Sequence, residues 1–213
     1  MHGHSVGLLG AGRQALETGG YCQEAGFDIA FFVEEQPPEY ERERDEYGAP
    51  IFNFEDDLEA LADVPVIASV GDPTVRRRLV ERWPKDQYLT LLSSRAWLAG
   101  DCRIGEGCVI APMAAVNRLC TLGKHVLLNV GAILSHDVVV GDFSTISPGC
   151  SVGGRVSIGQ GVFLGIGSTI RDRISIGDGA FIAAGTVVVE NVEDRQMVMG
   201  VPGRPCQSGN ESW

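Results

Sequence analysis

From position 98 onward every sixth residue is aliphatic: Leu98, Ile104, Ile110, Val116, Leu122, Leu128, Leu134, Val140, Ile146, Val152, Ile158, Leu164, Ile170, Ile176, Ile182 and Val188. The pattern holds at sixteen of sixteen positions, so residues 98 to 193 read as one hexapeptide array. The position four residues after each aliphatic is also restricted. It runs from Cys102, Cys108, Ala114 and Cys120 through Ala180 and Thr186 to Val192, and is small or β-branched throughout. A period of six with two inward positions fits neither the 3.6 residues of a helix turn nor long strand alternation. It suits short strands joined by turns in a β-solenoid. Each hexad is then one face of a triangular prism and three hexads make one coil. Coils stack at the strand spacing of roughly 4.8 Å, so residues three hexads apart become vertical neighbours. Parallel crossovers default to the right hand, and spacing alone does not say whether this coil departs from it.

Charge divides the chain in two. Residues 1–92 carry 18 acids against 8 bases, whereas 93–213 carry 10 against 9. The prism is nearly neutral and the acidity belongs to the N-terminal part. A sequence pI near 4.8 argues against nucleic acid as a partner, because phosphate backbones need a basic footprint. No apolar run reaches the length of a membrane span and no charged leader precedes a long apolar stretch. The expectation is a soluble, cytoplasmic protein with no membrane partner. Of six cysteines, Cys102, Cys108, Cys120 and Cys150 fall on the small inward hexad position, while Cys22 and Cys206 lie elsewhere. No CxxC pair exists, so buried packing is favoured over disulfides or a metal site.

The first 92 residues alternate strands and helices: a strand over 6–9, a glycine turn, a helix over 15–25 and a strand over 29–33. An acidic loop with Pro37 and Pro38 follows. A helix over 55–61, a strand over 64–70, a helix over 74–83 and a strand over 87–91 complete the pattern. This is a small Rossmann-like βαβ domain. Gly10-x-Gly12-x-x-Ala15 lies between a strand and a helix, where glycines let backbone amides approach a phosphate. Glu34 or Glu35 at the end of the second strand nearly completes a dinucleotide fingerprint. A domain of this size is only half of a dinucleotide fold, so a nucleotide-diphosphate site is the preferred reading. Ser69-Val70-Gly71-Asp72 opens another helix that could present amides to the same ligand. A purely structural glycine turn stays open, because a lone fingerprint is weak.

Four histidines exist. His2 and His4 belong to a terminus where fraying is expected. His125 and His136 occupy the fourth and third hexad positions, expected to point outward or along a corner. Asp137 follows His136, and a carboxylate can hold an imidazole in one tautomer as a base. One coil on from His136 is Gly154, whose backbone amide would stay accessible. A base beside an amide is the minimum outfit for acyl transfer. Two surface histidines on a scaffold is the plainer alternative.

The glycine turn, the array, Leu128-Asn129-Val130-Gly131-Ala132-Ile133-Leu134-Ser135-His136-Asp137, Gly141-Asp142-Phe143-Ser144 and the ending Gly200-Val201-Pro202-Gly203-Arg204 resemble bacterial nucleotide-sugar acetyltransferases. These are left-handed β-helix enzymes that N-acetylate UDP-linked 4-amino sugars, together with related sialic-acid O-acetyltransferases. The likeness spans residues 5 to 205. It implies a left-handed coil, a homotrimer with sites between neighbouring prisms, and acetyl-CoA as co-substrate, with no metal. By the same resemblance His136 matches the catalytic base, Asp137 the acid that orients it, and Gly154 the amide that receives the thioester oxygen. Asn129 matches a sugar contact, and Ile166, Ala184 and Arg204 fall along the CoA groove. Gly10, Gly12, Glu34, Glu35, Gly71 and Asp72 match the nucleotide-binding turns, with an acid reading base or ribose. Three departures stand out. Arg13-Gln14-Ala15 replaces a customary Gly-His-Gly, Ser94-Arg95 replaces His-Pro, and Thr145 replaces a second active-site histidine at the substrate site.

The expected organisation is a Rossmann-like nucleotide-sugar-binding domain over 1–92, a left-handed β-helix over 93–205 and a tail over 206–213. The expected activity is acetyl transfer from acetyl-CoA to the amino group of a nucleotide-linked sugar, by direct attack without a covalent intermediate. Rivals are sugar O-acetylation, a zinc carbonic anhydrase on the same prism, and a non-catalytic nucleotide-sugar-binding trimer.

Overall fold

The computed structural model describes residues 4–35, 47–56 and 58–206. His2, the Pro37-Pro38 loop and the tail beyond Cys206 lie outside them. The array folds as a parallel β-solenoid whose three walls are parallel sheets of two-residue strands. The first wall stacks strands that begin at Leu91, Val109, Leu127, Thr145, Phe163 and Phe181. The second begins at Trp97 and runs to Val187; the third begins at Arg103 and runs to Ser175. Pairing is in 18-residue register, as in Leu127↔Thr145 and Leu134↔Val152. The aliphatic of each hexad is the second residue of its strand and points inward. From Ile110 to Val188 all fourteen are buried, each contributing about 1.5–3 kcal/mol.

The array ends earlier than its periodicity implies. Val192 pairs with Ile176, and Met197 with Phe181, so the last coil is two residues short. Val192 therefore occupies an aliphatic position, not the small one assigned by counting. The small position also does more than pack. Cys108 donates to Gly123 O at 3.0 Å, Cys120 to Ser135 O at 2.9 Å, Ser144 to Gly159 O at 2.7 Å and Cys150 to Gly165 O at 3.1 Å. Each thiol or hydroxyl binds a turn carbonyl of the next coil, satisfying an otherwise buried acceptor. All six cysteines are free thiols.

Turns at the three edges use a left-handed residue at the fourth hexad position. It is glycine at Gly131, Gly149 and Gly167, but His125, Asp137, Phe143 and Arg155 adopt φ of 54°, 59°, 60° and 60°. Non-glycine residues there cost roughly 1–2 kcal/mol each.

The N-terminal layer comprises β1 (His4–Leu9), α1 (Arg13–Glu24), β2 (Phe27–Glu34), β3 (Ile51–Asn53), β4 (Val66–Ala68) and α2 (Pro73–Arg82). The strands form one parallel sheet in the order β3-β2-β1-β4. The helix expected over 55–61 does not form; a single 3-10 turn, Glu59–Leu61, stands there. Asn53 Oδ1 accepts from Glu55 N and Asp56 Oδ2 from Asn53 N, side-chain bonds that compete with a helix start. β3 was not expected. The strand expected over 87–91 splits: Tyr88 makes one bridge to Val66, and β5 (Leu91–Leu92) instead opens the first wall of the solenoid. No helix among the described residues is long and apolar enough to cross a membrane.

The layer packs on the first wall. Leu91, Val109 and Leu127 share a core with Val6, Leu8, Phe32 and Ile67. Arg76 of α2 rivets the two parts. It is 1% exposed, and its guanidinium donates to the carbonyls of Val70 and Gly71 on one side and His125, Phe143 and Ser144 on the other. Burial lowers its pKa to about 10, and five carbonyl dipoles replace the water it gave up.

Candidate active site

His136 sits in the turn between the second and third walls, the edge opposite the wall that carries the N-terminal layer. Its side chain is 53% exposed, and its Nδ1 lies 2.6 Å from Asp137 Oδ2. An ionised carboxylate only accepts, so Nδ1–H donates and Nε2 keeps its lone pair. The left-handed backbone of Asp137, held by its N–H on Arg118 O at 2.9 Å, folds the carboxylate back onto the preceding ring. Arg155 Nε stands 4.0 Å from the same oxygen. Gly154 is the vertical neighbour. A Cβ added there would lie 2.7 Å from His136 Nε2, so only glycine leaves the base uncovered. Among the described residues the Gly154 N–H has no backbone acceptor.

The N-terminal residues gather at two cavities that share Val75. A cavity of about 420 Å³ is lined by Gly10, Ala11, Gly12, Glu34, Glu35, Val70, Val75, Arg78 and Leu79. Gly10 has φ +103°, and a Cβ there would meet Val70 Cγ2 at 2.6 Å. The turn thus requires glycine for two separate reasons. Glu35 is not a free acid. It accepts from Arg78 Nε at 2.8 Å, Arg78 Nη2 at 2.5 Å and Arg82 Nη1 at 3.2 Å, bonds that lower its pKa. Gly71 and Asp72 line the second cavity, about 670 Å³, between the start of α2 and the stacked rings of Phe163 and Phe181. Asp72 caps α2, accepting from Thr74 N at 2.7 Å and Val75 N at 3.1 Å. Those two amides, expected to face a ligand, are already taken.

Asn129 and Thr145 join the halves. Asn129 Nδ2 donates to Gln14 Oε1 at 3.1 Å, and Thr145 Oγ1 donates to Gly71 O at 2.7 Å, both residues being buried. Thr145 thereby holds the Gly71 turn on the solenoid. Ile166, 62% exposed, and Ala184 stack on the edge between the first and second walls, where Gly185 N donates to Ile166 O at 2.8 Å. Arg204 opens the strand Arg204–Cys206, the antiparallel last strand of the first wall, and lies 4.0 Å from Glu190.

His125 corrects the expectation of an outward histidine. It is 3% exposed, wedged between Tyr88 and Phe143 with ring centroids 4.6 and 4.9 Å away, and burial lowers its pKa to about 4. It occupies the edge between the third and first walls, so within the chain it does not converge with His136. Sequence reasoning missed Arg76, although three consecutive arginines on one helix turn offered a signal. Among the described residues no group of three His, Cys, Asp or Glu side chains is arranged to hold a metal.

The family described as bacterial transferase hexapeptide (six repeats) matches residues 155–189. No curated protein sequence matches the chain. Solved structures do. A histidine variant of perosamine N-acetyltransferase from Caulobacter crescentus, in complex with CoA and GDP-perosamine, is 25% identical over 96% of this chain and 97% of that one, with a TM-score of 0.86. The acetyltransferase domain of PglB from Neisseria gonorrhoeae, in complex with acetyl coenzyme A, is 23% identical over 96% and 100%, with a TM-score of 0.82. WeeI from Acinetobacter baumannii is 24% identical over 94% and 99%, with a TM-score of 0.76. The last two likenesses speak to fold. Together these matches agree with the resemblance drawn from the sequence.

Proposed function

We propose that this chain is an acetyl-CoA-dependent N-acetyltransferase acting on the amino group of a nucleotide-linked amino sugar, with His136 as general base. The observation that carries the reading is the pairing of an Nδ1-anchored imidazole with a glycine beneath its Nε2. That pairing fits an acyl thioester, because a base and an unpaired backbone N–H share a space that any Cβ would fill. Acetyl-CoA supplies an activated carbonyl and a thiol leaving group. Nε2 accepts the proton that the amine sheds as it is acylated, and returns it to the departing sulfur. Asp137 holds the tautomer and stabilises the imidazolium. The Gly154 N–H donates to the acyl oxygen as charge builds there. Cys120, whose thiol donates to Ser135 O beside His136, is fully buried inside the solenoid and not open to an acyl group, which favours direct attack.

We further read the two parts as a Rossmann-like nucleotide-sugar-binding domain over 1–92 and a left-handed β-helix over 93–205, followed by a tail. Nucleotide binding belongs to Gly10, Gly12, Gly71 and neighbours, the sugar to Asn129 and Thr145, and CoA to Ile166, Ala184 and Arg204. One feature of the fold supports a homotrimer. His136 and the Gly10 cavity stand on opposite sides of one prism, so a nucleotide sugar held at Gly10 reaches the His136 of a neighbouring subunit. Thiol release from acetyl-CoA, measured with a panel of nucleotide-linked amino sugars and free sialic acid, tests the reading. Turnover on one nucleotide-linked amine that falls by roughly 10²–10⁴-fold in His136→Ala is expected. Full activity in that variant would sink the mechanism, and turnover confined to sialic acid would sink the substrate class.

A further inference from the structure

The Gly10 cavity is edged by a guanidinium beside Glu34 and Glu35, and Glu35 is not the free carboxylate that the sequence suggests. Both Glu35 oxygens are spent on arginines: Oε1 accepts from Arg78 Nε and Arg82 Nη1, and Oε2 from Arg78 Nη2. Arg82 turns its other nitrogen to Glu55, 3.1 Å away, and does not line the cavity. Arg78 does line it, with half of its side chain accessible. The bidentate grip uses Nε and Nη2, leaving Nη1 with no protein partner among the described residues. Across the cavity, the twelve-residue α1 has Gly12 as its N-cap and so no capping side chain, and a Cβ at Gly12 would meet nothing within 4 Å. α2 offers no such opening, because Asp72 already caps it. An uncapped helix start and a fixed guanidinium thus face one space, an arrangement suited to an anion with several oxygens.

We propose that Arg78 binds the diphosphate of the nucleotide ligand and that Glu35 is its positioning residue. This rests on the nucleotide-sugar reading above and sharpens it, assigning Glu35 to the arginine and not to base or ribose. An arginine held by two parallel hydrogen bonds has already lost most of its rotamer freedom, so it presents Nη1 without a further ordering cost.

The test is isothermal titration of the full chain with ADP, GDP, UDP, CDP and dTDP, followed by Arg78→Ala, Arg78→Lys and Glu35→Gln with the tightest of them. Removing a charge-assisted hydrogen bond is expected to weaken binding about 10- to 100-fold in Arg78→Ala. That loss should shrink as added salt screens the contact. Lysine keeps a point charge without the fork and should recover part of the affinity. Glu35→Gln frees the arginine and should cost only a few-fold. An unchanged Kd in Arg78→Ala overturns the inference while leaving the nucleotide reading intact. A Glu35→Gln loss exceeding that of Arg78→Ala also overturns it, by returning the ligand contact to the glutamate. If no nucleotide binds the unmodified chain, the nucleotide reading fails and takes the inference with it.

Discussion

Two histidines eleven residues apart stand on equivalent turns of one solenoid and have opposite fates. His136 faces solvent on a bare edge, tied to Asp137 and looking onto Gly154. His125 lies on the edge covered by α2, sealed between Tyr88 and Phe143, with a buried Nδ1 that has no hydrogen-bond partner among the described residues. Their turns are built alike, but His125 is itself the left-handed fourth residue, φ 54°, whereas His136 is the third and the left-handed residue is Asp137. What further separates them is the layer docked on the His125 edge. The covered edge is built for stability and the bare edge for chemistry.

That contrast makes different variants fail in different ways. The largest effect belongs to Arg76→Ala. It leaves the Val70, His125 and Phe143 carbonyls without their donor at the seam, while Gly71 O keeps Thr145 and Ser144 O keeps Leu127 N, and should cost about 3–5 kcal/mol, three buried acceptors at about 1–3 kcal/mol each. Chemical denaturation would read the loss. A cost below about 1 kcal/mol would mean that the layer docks without its rivet, and the stability half of the contrast would break.

Gly154→Ala probes the other edge. Its methyl would displace the imidazole, and a base moved by about 1 Å loses roughly 10²-fold in turnover. The melting temperature should barely move, because His136 is exposed and can rotate away. Unchanged kcat with an intact fold would show that Nε2 needs no clear space, and would detach function from this edge.

The reach of the sequence follows the same division. Strict periodicity made the walls, the 18-residue register and the His136–Gly154 stacking legible, because each hexad packs only against its own repeat. It misplaced Val192, because the closing coil drops two residues once no further coil must be matched. At the seam, contacts run between segments 49 to 115 residues apart, as in Arg76 to His125, Thr145 to Gly71 and Asn129 to Gln14. No local pattern encodes those. Glu35 looked like a ligand-reading acid for the same reason. Its two arginine partners lie 43 and 47 residues away on a helix whose orientation only the tertiary fold sets.

The smallest effect sharpens the contrast through pH. His125 is held neutral, with its pKa lowered to about 4 from an ordinary 6.5, first by burial. Glu106 and Asp142 pull the pKa up, and Arg76 and Lys124 add to the lowering. A base with a depressed folded pKa is protonated more readily in the unfolded chain. Its contribution is fully present above about pH 6.5 and fades as pH falls towards about 4. Between about pH 7.5 and 5 the loss amounts to roughly 2 kcal/mol. Denaturation midpoints across that window should fall for the unmodified chain and fall less for His125→Phe, whose ring keeps the stack and cannot take a proton. His136→Ala should leave the slope untouched, since that side chain is half exposed and stands outside the buried stack. If instead the His136 variant flattened the curve and the His125 variant did not, the assignment of the sealed and the open edge would be reversed.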